Sequence, residues 1–158
     1  MTAAVTVDRP RPGDRAAWRR LYQGYAEFYR VPMDDEIAGR VWAWIRDPAH
    51  PVEALVARDA SGVPVGLAHF RVMPRPLGGN EICFLDDLFV DPESRGGGIG
   101  EALLRAVAAE AARRGWGKVR WITAEDNAPA RALYDRVAGR TAWVTYEMPA
   151  TPAGGAPT

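Results

Sequence analysis

Apolar positions recur along this chain in two rhythms, and each rhythm marks an element. Val5 and Val7 alternate with polar residues ahead of Pro10, Pro12 and Gly13, which predicts a short strand running into a turn. From Arg15 the spacing changes to threes and fours. Trp18, Leu21, Tyr22, Tyr25, Phe28 and Tyr29 then form one stripe of an amphipathic helix that Asp14 can cap and Pro32 closes. A second helix follows Asp34, with Ile37, Val41, Trp42 and Ile45 inward, and ends near Asp47-Pro48. Two strand-like runs come next, Glu53 to Arg58 and Val63 to Val72, joined by Asp59-Ala60-Ser61-Gly62 as a hairpin turn. A loop from Met73 to Asn80 leads into Glu81 to Val90, the most hydrophobic strand and hence a central one. Beyond Ser94-Arg95-Gly96-Gly97-Gly98-Ile99-Gly100, a helix keeps Leu103, Leu104, Val107, Ala108 and Ala111 on one face until Gly115 stops it. Lys118 to Ala124 reads as a strand parallel to the one before the loop, because a helix crosses between them. Asn127 caps a further helix carrying Ala130, Leu133, Tyr134 and Val137, and Thr141 to Met148 is expected as a last strand. Residues 1–149 thus form one expected domain, with 150–158 a Pro-, Gly- and Ala-rich tail expected to be disordered.

Composition narrows the classes without changing that layout. A length of 158 residues suits one domain with a sizeable core, and 47% hydrophobic with 25% charged residues is ordinary for a globular chain. Lys+Arg 20 balances Asp+Glu 20, so no global basic field draws nucleic acid or an anionic membrane. Cys83 is the only cysteine, which excludes an internal disulfide or a cysteine zinc cage and makes a reducing cytoplasm the expected compartment. With no His or Lys near it in sequence, it reads as a buried, inert thiol. No secretory h-region follows Met1 and no apolar run reaches membrane-spanning length. His50 and His69 each lack a second ligand at metal spacing, so both are read as structural or surface residues and no metal is expected.

The strongest chemical signal is the glycine loop. Four glycines within five positions, between a buried strand and a helix, leave the first backbone N–H groups unobstructed, with the positive end of the helix dipole behind them. A tight turn needs one glycine; this loop is built to hold an anion, and phosphate is the natural one. A nucleotide P-loop ends in Gly-Lys-Ser or Gly-Lys-Thr, whereas Gly100 is followed by Glu101 and Ala102. The dinucleotide fingerprint fails as well, since Glu101 stands where its third glycine belongs, and an antiparallel hairpin precedes the unit in place of repeated βαβ.

What remains is Arg95-x-x-Gly98-x-Gly100, and there the sequence resembles the GNAT superfamily of acetyl-CoA-dependent N-acetyltransferases. Phe84 to Glu93 before the loop and Asn127 to Tyr134 after it stand in the family's order and spacing, and the resemblance runs from Val5 to about Met148. It is closest to the small-amine branch, the spermidine/spermine and histone-and-polyamine or D-amino-acid acetyltransferases. The implied fold is α+β: a mixed, mostly antiparallel sheet of six to seven strands, about four flanking helices, and splayed parallel strands at the cofactor site. In that picture Gly96, Gly97, Gly98, Ile99, Gly100 and Glu101 cradle the pyrophosphate of acetyl-CoA and Arg95 adds charge. The pantetheine arm pairs with the backbone of the Leu88-Phe89-Val90 strand, Asn127 and Ala130 complete the cofactor contacts, and a bulge near Asp86 splays the strands. The resemblance also implies a homodimer.

The same resemblance makes Tyr134 the general acid. It lies seven residues after Asn127, on the same helix face, and an ordinary phenol near pKa 10 keeps its proton at neutral pH. Asp86 and Asp87 interrupt an apolar strand, where a buried carboxylate must be paired or working. Adjacent strand residues point to opposite faces, so one carboxylate is expected toward the acceptor and the other in a structural role; the resemblance assigns Asp86 to the acceptor side. Asp86 then either relays a proton from the amine or only attracts a cation, because the spermidine/spermine pattern carries the longer Glu there. Tyr25 and Tyr29, otherwise core, can enclose a cationic amine with their ring faces. The expected activity is acetyl transfer to a small primary amine in a ternary complex. A protein N-acetyltransferase or a non-catalytic acyl-CoA sensor are the alternatives.

Overall fold

The computed structural model describes residues 5–154, and the expected elements stand there in the expected order. β1 (Thr6–Asp8) leads into α1 (Arg15–Tyr29) and α2 (Asp35–Arg46), then β2 (Val52–Arg58), β3 (Pro64–Arg75), β4 (Asn80–Val90), α3 (Ile99–Arg113), β5 (Val119–Arg120) and α4 (Ala128–Val137). The strands follow one another across the sheet, antiparallel from β1 to β4, with β5 parallel to β4. The chain divides between Ala124 and Glu125 into two compact units.

Residues 5–124 carry the sheet and its covering helices. The stripes of α1 and α2 lie on one sheet face, where Trp18, Leu21, Ala38, Val41 and Trp42 close over Val56, Leu67 and Phe89. Asp34 caps α2 as its sequence suggests, accepting from the Ile37 N–H at 2.8 Å. On the other face, Gly66 of β3 looks at Leu103 and Ile99 of α3. Among the described residues no helix is long and apolar enough to cross a membrane.

Three expectations are corrected. The loop from Met73 to Asn80 is mostly ladder: Met73 pairs with Ile82, Pro74 with Glu81 and Arg75 with Asn80, leaving only the turn at Pro76–Gly79. Pro74 is tolerated because the Glu81 carbonyl opposite it faces β5, accepting from Gly117 N–H at 3.4 Å. The nitrogen of Pro74 therefore faces the β2 side, where β2 has stopped pairing at Arg71. Second, Asp14 does not cap α1 with its side chain. Its carboxylate takes a two-pronged bond from Arg58 at 2.7 and 2.8 Å, and Arg58 also reaches Asp8 at 2.6 Å, so a buried ion cluster ties β1, β2 and the start of α1 together. Third, among the described residues the sheet has five strands, fewer than the six to seven implied. β5 keeps only two of the residues expected from Lys118 to Ala124: its pairs are Cys83–Val119 and Phe84–Arg120, and pairing ends just before the register shift of β4. Thr141 to Met148 forms no strand. An alternating sequence becomes strand only where another strand satisfies its backbone, and the described residues of its own unit, 125–154, offer α4 and turns.

Residues 125–154 contain α4, with Pro129 in its first turn and the Asn127 side chain accepting from the Ala130 N–H at 3.5 Å. Residues 150–154 form neither helix nor strand; the remainder of the tail, 155–158, lies outside the described residues, as do residues 1–4.

Candidate active site

A one-residue bulge in β4 shapes the site. His69 pairs with Asp87 while the next pair is Phe70 with Leu85, so Asp86 is the extra residue, where the resemblance implies it. The bulge reverses which way the backbone of β4 faces. Cys83 N–H donates to Lys118, just ahead of β5, at 2.9 Å, yet eight residues on, Asp91 N–H donates to Val65 on the β3 side at 2.8 Å. Strict alternation would point both the same way. Counting back from Asp91, the amides of Leu88 and Val90 face the outer edge that β5 has left. Arg95 marks that edge: its Nε donates to the Val90 carbonyl at 3.1 Å, with the guanidinium over the Phe89 ring.

The bulge also puts Asp86 and Asp87 on one face, against the expectation that neighbours point opposite ways. Asp86 pairs with Arg71 at 3.0 Å and Asp87 with His69 at 2.8 Å, and these partners are two residues apart on β3, hence on one side of the sheet. That side is the one covered by α1. Tyr22 donates to Asp87 at 3.2 Å and Tyr25 to the Asp86 carbonyl at 3.5 Å, while the Tyr29 ring lies 4.9 Å from that of Tyr25. Thus Tyr25, Tyr29 and Asp86 lie together, and Asp87, expected on the opposite face, joins them.

Behind them runs a chain of hydrogen bonds from the core. The indole N–H of Trp18 donates to His69 Nε2 at 2.9 Å. An indole can only donate, so Nε2 is the acceptor, Nδ1 carries the hydrogen, and His69 donates to Asp87. Burial pushes the Asp87 carboxyl up, but the hydrogen bond from His69, with that from Tyr22, outweighs it and holds the group below the ordinary carboxylate range. Burial and the nearby Asp87 charge raise both phenols, keeping Tyr22 and Tyr25 as donors. Asp86 is shifted the other way: burial raises it, opposed only in part by Arg71. Cys83 is fully buried and its thiol is pushed up to about 12 by that burial, which suits the inert role.

These shifts fix how stability responds to acid. Asp87, Asp14 beside Arg58, and Glu110, which hydrogen bonds from Arg113 and Arg114 hold near about 2, all bind protons less readily folded than unfolded. Their stabilisation is full above the unfolded values of roughly 4 and is lost as pH falls through the depressed ones. Asp86 works oppositely, gaining as it protonates. Urea unfolding should give a flat midpoint from about pH 7 to 5 and a steep fall between about pH 4 and 2; a midpoint unchanged down to pH 2 would refute this balance.

The glycine loop reaches α3 with Gly96 and Gly98 at φ +89° and +76°, left-handed backbone that favours glycine. A Cβ on either meets nothing within 4 Å, so conformation and not crowding demands glycine, and the side-chain directions are open. Ile99 is buried and anchors the helix start; the first intrahelical bond runs from Ala102 N–H to the Gly98 carbonyl at 3.0 Å. The amides ahead of it are those a helix leaves for an anion. Glu101 turns its carboxylate to Arg105 at 2.8 Å. In the second unit, Asn127 and Tyr134 lie two turns apart along α4.

The profile of the Acetyltransferase (GNAT) family matches residues 16–139. The chain belongs to that family and is an acetyltransferase. It is 30% identical over 144 residues to the D-amino-acid N-acetyltransferase HPA3 of Saccharomyces cerevisiae, covering 90% of this chain and 89% of that one. An aminoglycoside N(6')-acetyltransferase type 1 of Stenotrophomonas maltophilia is 31% identical over 112 residues, 69% of each chain. The solved ribosomal-protein-alanine N-acetyltransferase of Brucella melitensis biovar Abortus 2308 matches with a TM-score of 0.78 at 27% identity, over 92% of this chain and 99% of the other. In this acetyltransferase, sequence reasoning overlooked Trp18, Tyr22 and Arg71 as site residues and left His69 without a partner. The available signal was period two along β3, which puts His69 and Arg71 on one face. Among the described residues no group of three or more His, Cys, Asp or Glu side chains is placed to hold a metal ion.

Proposed function

We propose that the chain moves the acetyl group of acetyl-CoA to a primary amine on a small molecule, by direct attack in a ternary complex. The observation that carries this reading is the pairing of an open glycine cradle at the start of α3 with the outward amides of Leu88 and Val90. The residues fit such a ligand: no side chain stands on Gly96, Gly97 or Gly98 to block a diphosphate. Relatives that acetylate D-amino acids and aminoglycosides, by their names, support a small amine as acceptor.

Acetyl-CoA supplies an acyl group activated as a thioester. The amides from Gly96 to Glu101 hold its diphosphate, Arg95 adds positive charge, and Leu88, Phe89 and Val90 present the strand edge along which the pantetheine lies. The Leu88 N–H donates to the thioester oxygen, worth about 3 kcal/mol in a dry, preorganised site. Asp86, its carboxyl raised by burial, takes the proton the amine must lose as the C–N bond forms. Tyr134 returns a proton to the thiolate released as the C–S bond breaks. Asn127 and Ala130, at the start of the same helix, complete the cofactor contacts. Tyr25 and Tyr29 border the amine.

The test is free-thiol release from acetyl-CoA over polyamines, amino acids, aminoglycosides and peptides. Tyr134→Phe should bind CoA as the wild type does and lower kcat about tenfold to a hundredfold. That is the low end for general acid catalysis, because a thiolate is already a tolerable leaving group. CoA binding with no acceptor-dependent thiol release would overturn the enzymatic reading of this site.

A further inference from the structure

Resting on the amine-acetylation reading above, one pair of side chains goes further and selects the acceptor. Of the two carboxylates at the bulge, Asp87 is occupied: His69 and Tyr22 donate to it, and its side chain is 18% exposed. Asp86 is 32% exposed and Arg71 beside it 38%, so what faces solvent at this point of the α1-covered face is a joined cation and anion. Arg71 binds Asp86 through Nε alone, at 3.0 and 3.3 Å to the two oxygens, and its guanidinium stacks 4.8 Å from the Phe84 ring. The stacking holds the guanidinium in place, and among the described residues its two terminal NH2 groups make no hydrogen bond beside that of Nε to Asp86.

Such a pair discriminates by charge pattern. A polyamine or an aminoglycoside brings only positive charge; to reach Asp86 it must compete with Arg71 and sit against it, and like charges a few ångströms apart repel even near a surface. An α-amino acid brings opposite charges two bonds apart. Its carboxylate matches the guanidinium fork in a bidentate contact while its nitrogen meets Asp86, the two dipoles lying head to tail.

We propose that the acceptor is a free α-amino acid, its carboxylate received by Arg71 and its amine by Asp86. Arg71 is then a specificity-determining residue, and the carboxylate it binds is the group that separates substrates from non-substrates. Because the contact is partly exposed, its effect is moderate, about tenfold.

The experiment measures thiol release with D- and L-alanine, D- and L-methionine, the matching amino-acid amides, spermidine and a neamine-type aminoglycoside, for the wild type, Arg71→Gln and Arg71→Lys. In the wild type, kcat/KM for at least one enantiomer of an amino acid should exceed that for its amide, spermidine and the aminoglycoside by about tenfold or more. Arg71→Gln should bring acid and amide to within about twofold of each other, chiefly by raising KM for the acid, and Arg71→Lys should restore part of the difference. Calorimetry with CoA verifies that each variant still presents the cofactor site. Amides, spermidine or the aminoglycoside used as well as the acids, or a preference untouched in Arg71→Gln, overturns the assignment while amine acetylation stands. CoA binding without acceptor-dependent thiol release for any of these amines overturns both.

Discussion

Replacing Gly98 by aspartate should weaken CoA binding about 150-fold. Gly98 sits at φ +76° at the start of α3, and any side chain there strains the backbone by roughly 1 kcal/mol, tipping the loop out of its cradle shape. The space a Cβ enters is empty, so no clash adds to this. The carboxylate adds the larger part. At the mouth of a site for a diphosphate, a unit negative charge some 5 Å away costs roughly 2 kcal/mol after allowance for solvent screening. The two together come to about 3 kcal/mol. Gly98→Ala separates them, since it keeps the strain without the charge and should lose only about fivefold. Isothermal calorimetry with CoA reads both variants, and the thermal melt reports that the fold survives. If Gly98→Asp bound CoA with wild-type affinity, the loop would not be the diphosphate site and the roles given to Leu88 and Tyr134 would fall with it.

The largest loss of stability should come from Arg58→Met. Arg58 is 3% exposed and Asp14 8%, and the guanidinium also caps the carbonyls of Arg9 and Gly62 at 3.2 and 3.3 Å. Methionine fills much of the volume but leaves Asp14 charged, buried and held only by the Arg11 N–H at 2.6 Å. Breaking a buried ion pair from one side typically costs 3–5 kcal/mol, and that is the expected drop in urea unfolding at pH 7. The double variant Arg58→Met with Asp14→Leu should recover a large part, because no orphaned charge remains. A single variant within about 1 kcal/mol of wild type would mean that water reaches Asp14.

Much of this was legible in the letters. The spacing of Trp18, Leu21, Tyr22 and Tyr25 gave the helix and its buried face, and the glycines from Gly96 to Gly100 marked the left-handed turn that opens α3, because both are local properties of a few residues. The faces of Asp86 and Asp87 were not legible from alternation, since a single bulge residue inverts the parity that alternation assumes. For the same reason the His69–Asp87 bond was hidden: counting outward from the turn pairs His69 with Asp86 unless the bulge is placed first. Arg58 and Asp14 are 44 residues apart and join only after β1, β2 and α1 meet. The alternation of Thr141 to Met148 was a real pattern, but a strand needs a neighbour, and the sequence does not say whether one is present.

The extra residue in β4 limits how this chain can be lengthened or shortened. Deleting any one residue between Asn80 and Asp86 would rotate every side chain on the hairpin side of the cut to the wrong surface, or else erase the kink that opens the strand edge. The turn at Pro76–Gly79 carries no such constraint, being exposed and clear of both carboxylates, whereas in the turn at Asp59–Gly62 the Gly62 carbonyl accepts from Arg58. Tags, grafted peptides or fluorescent reporters therefore belong in the turn at Pro76–Gly79, and natural insertions in this lineage should be found there while β4 keeps its count.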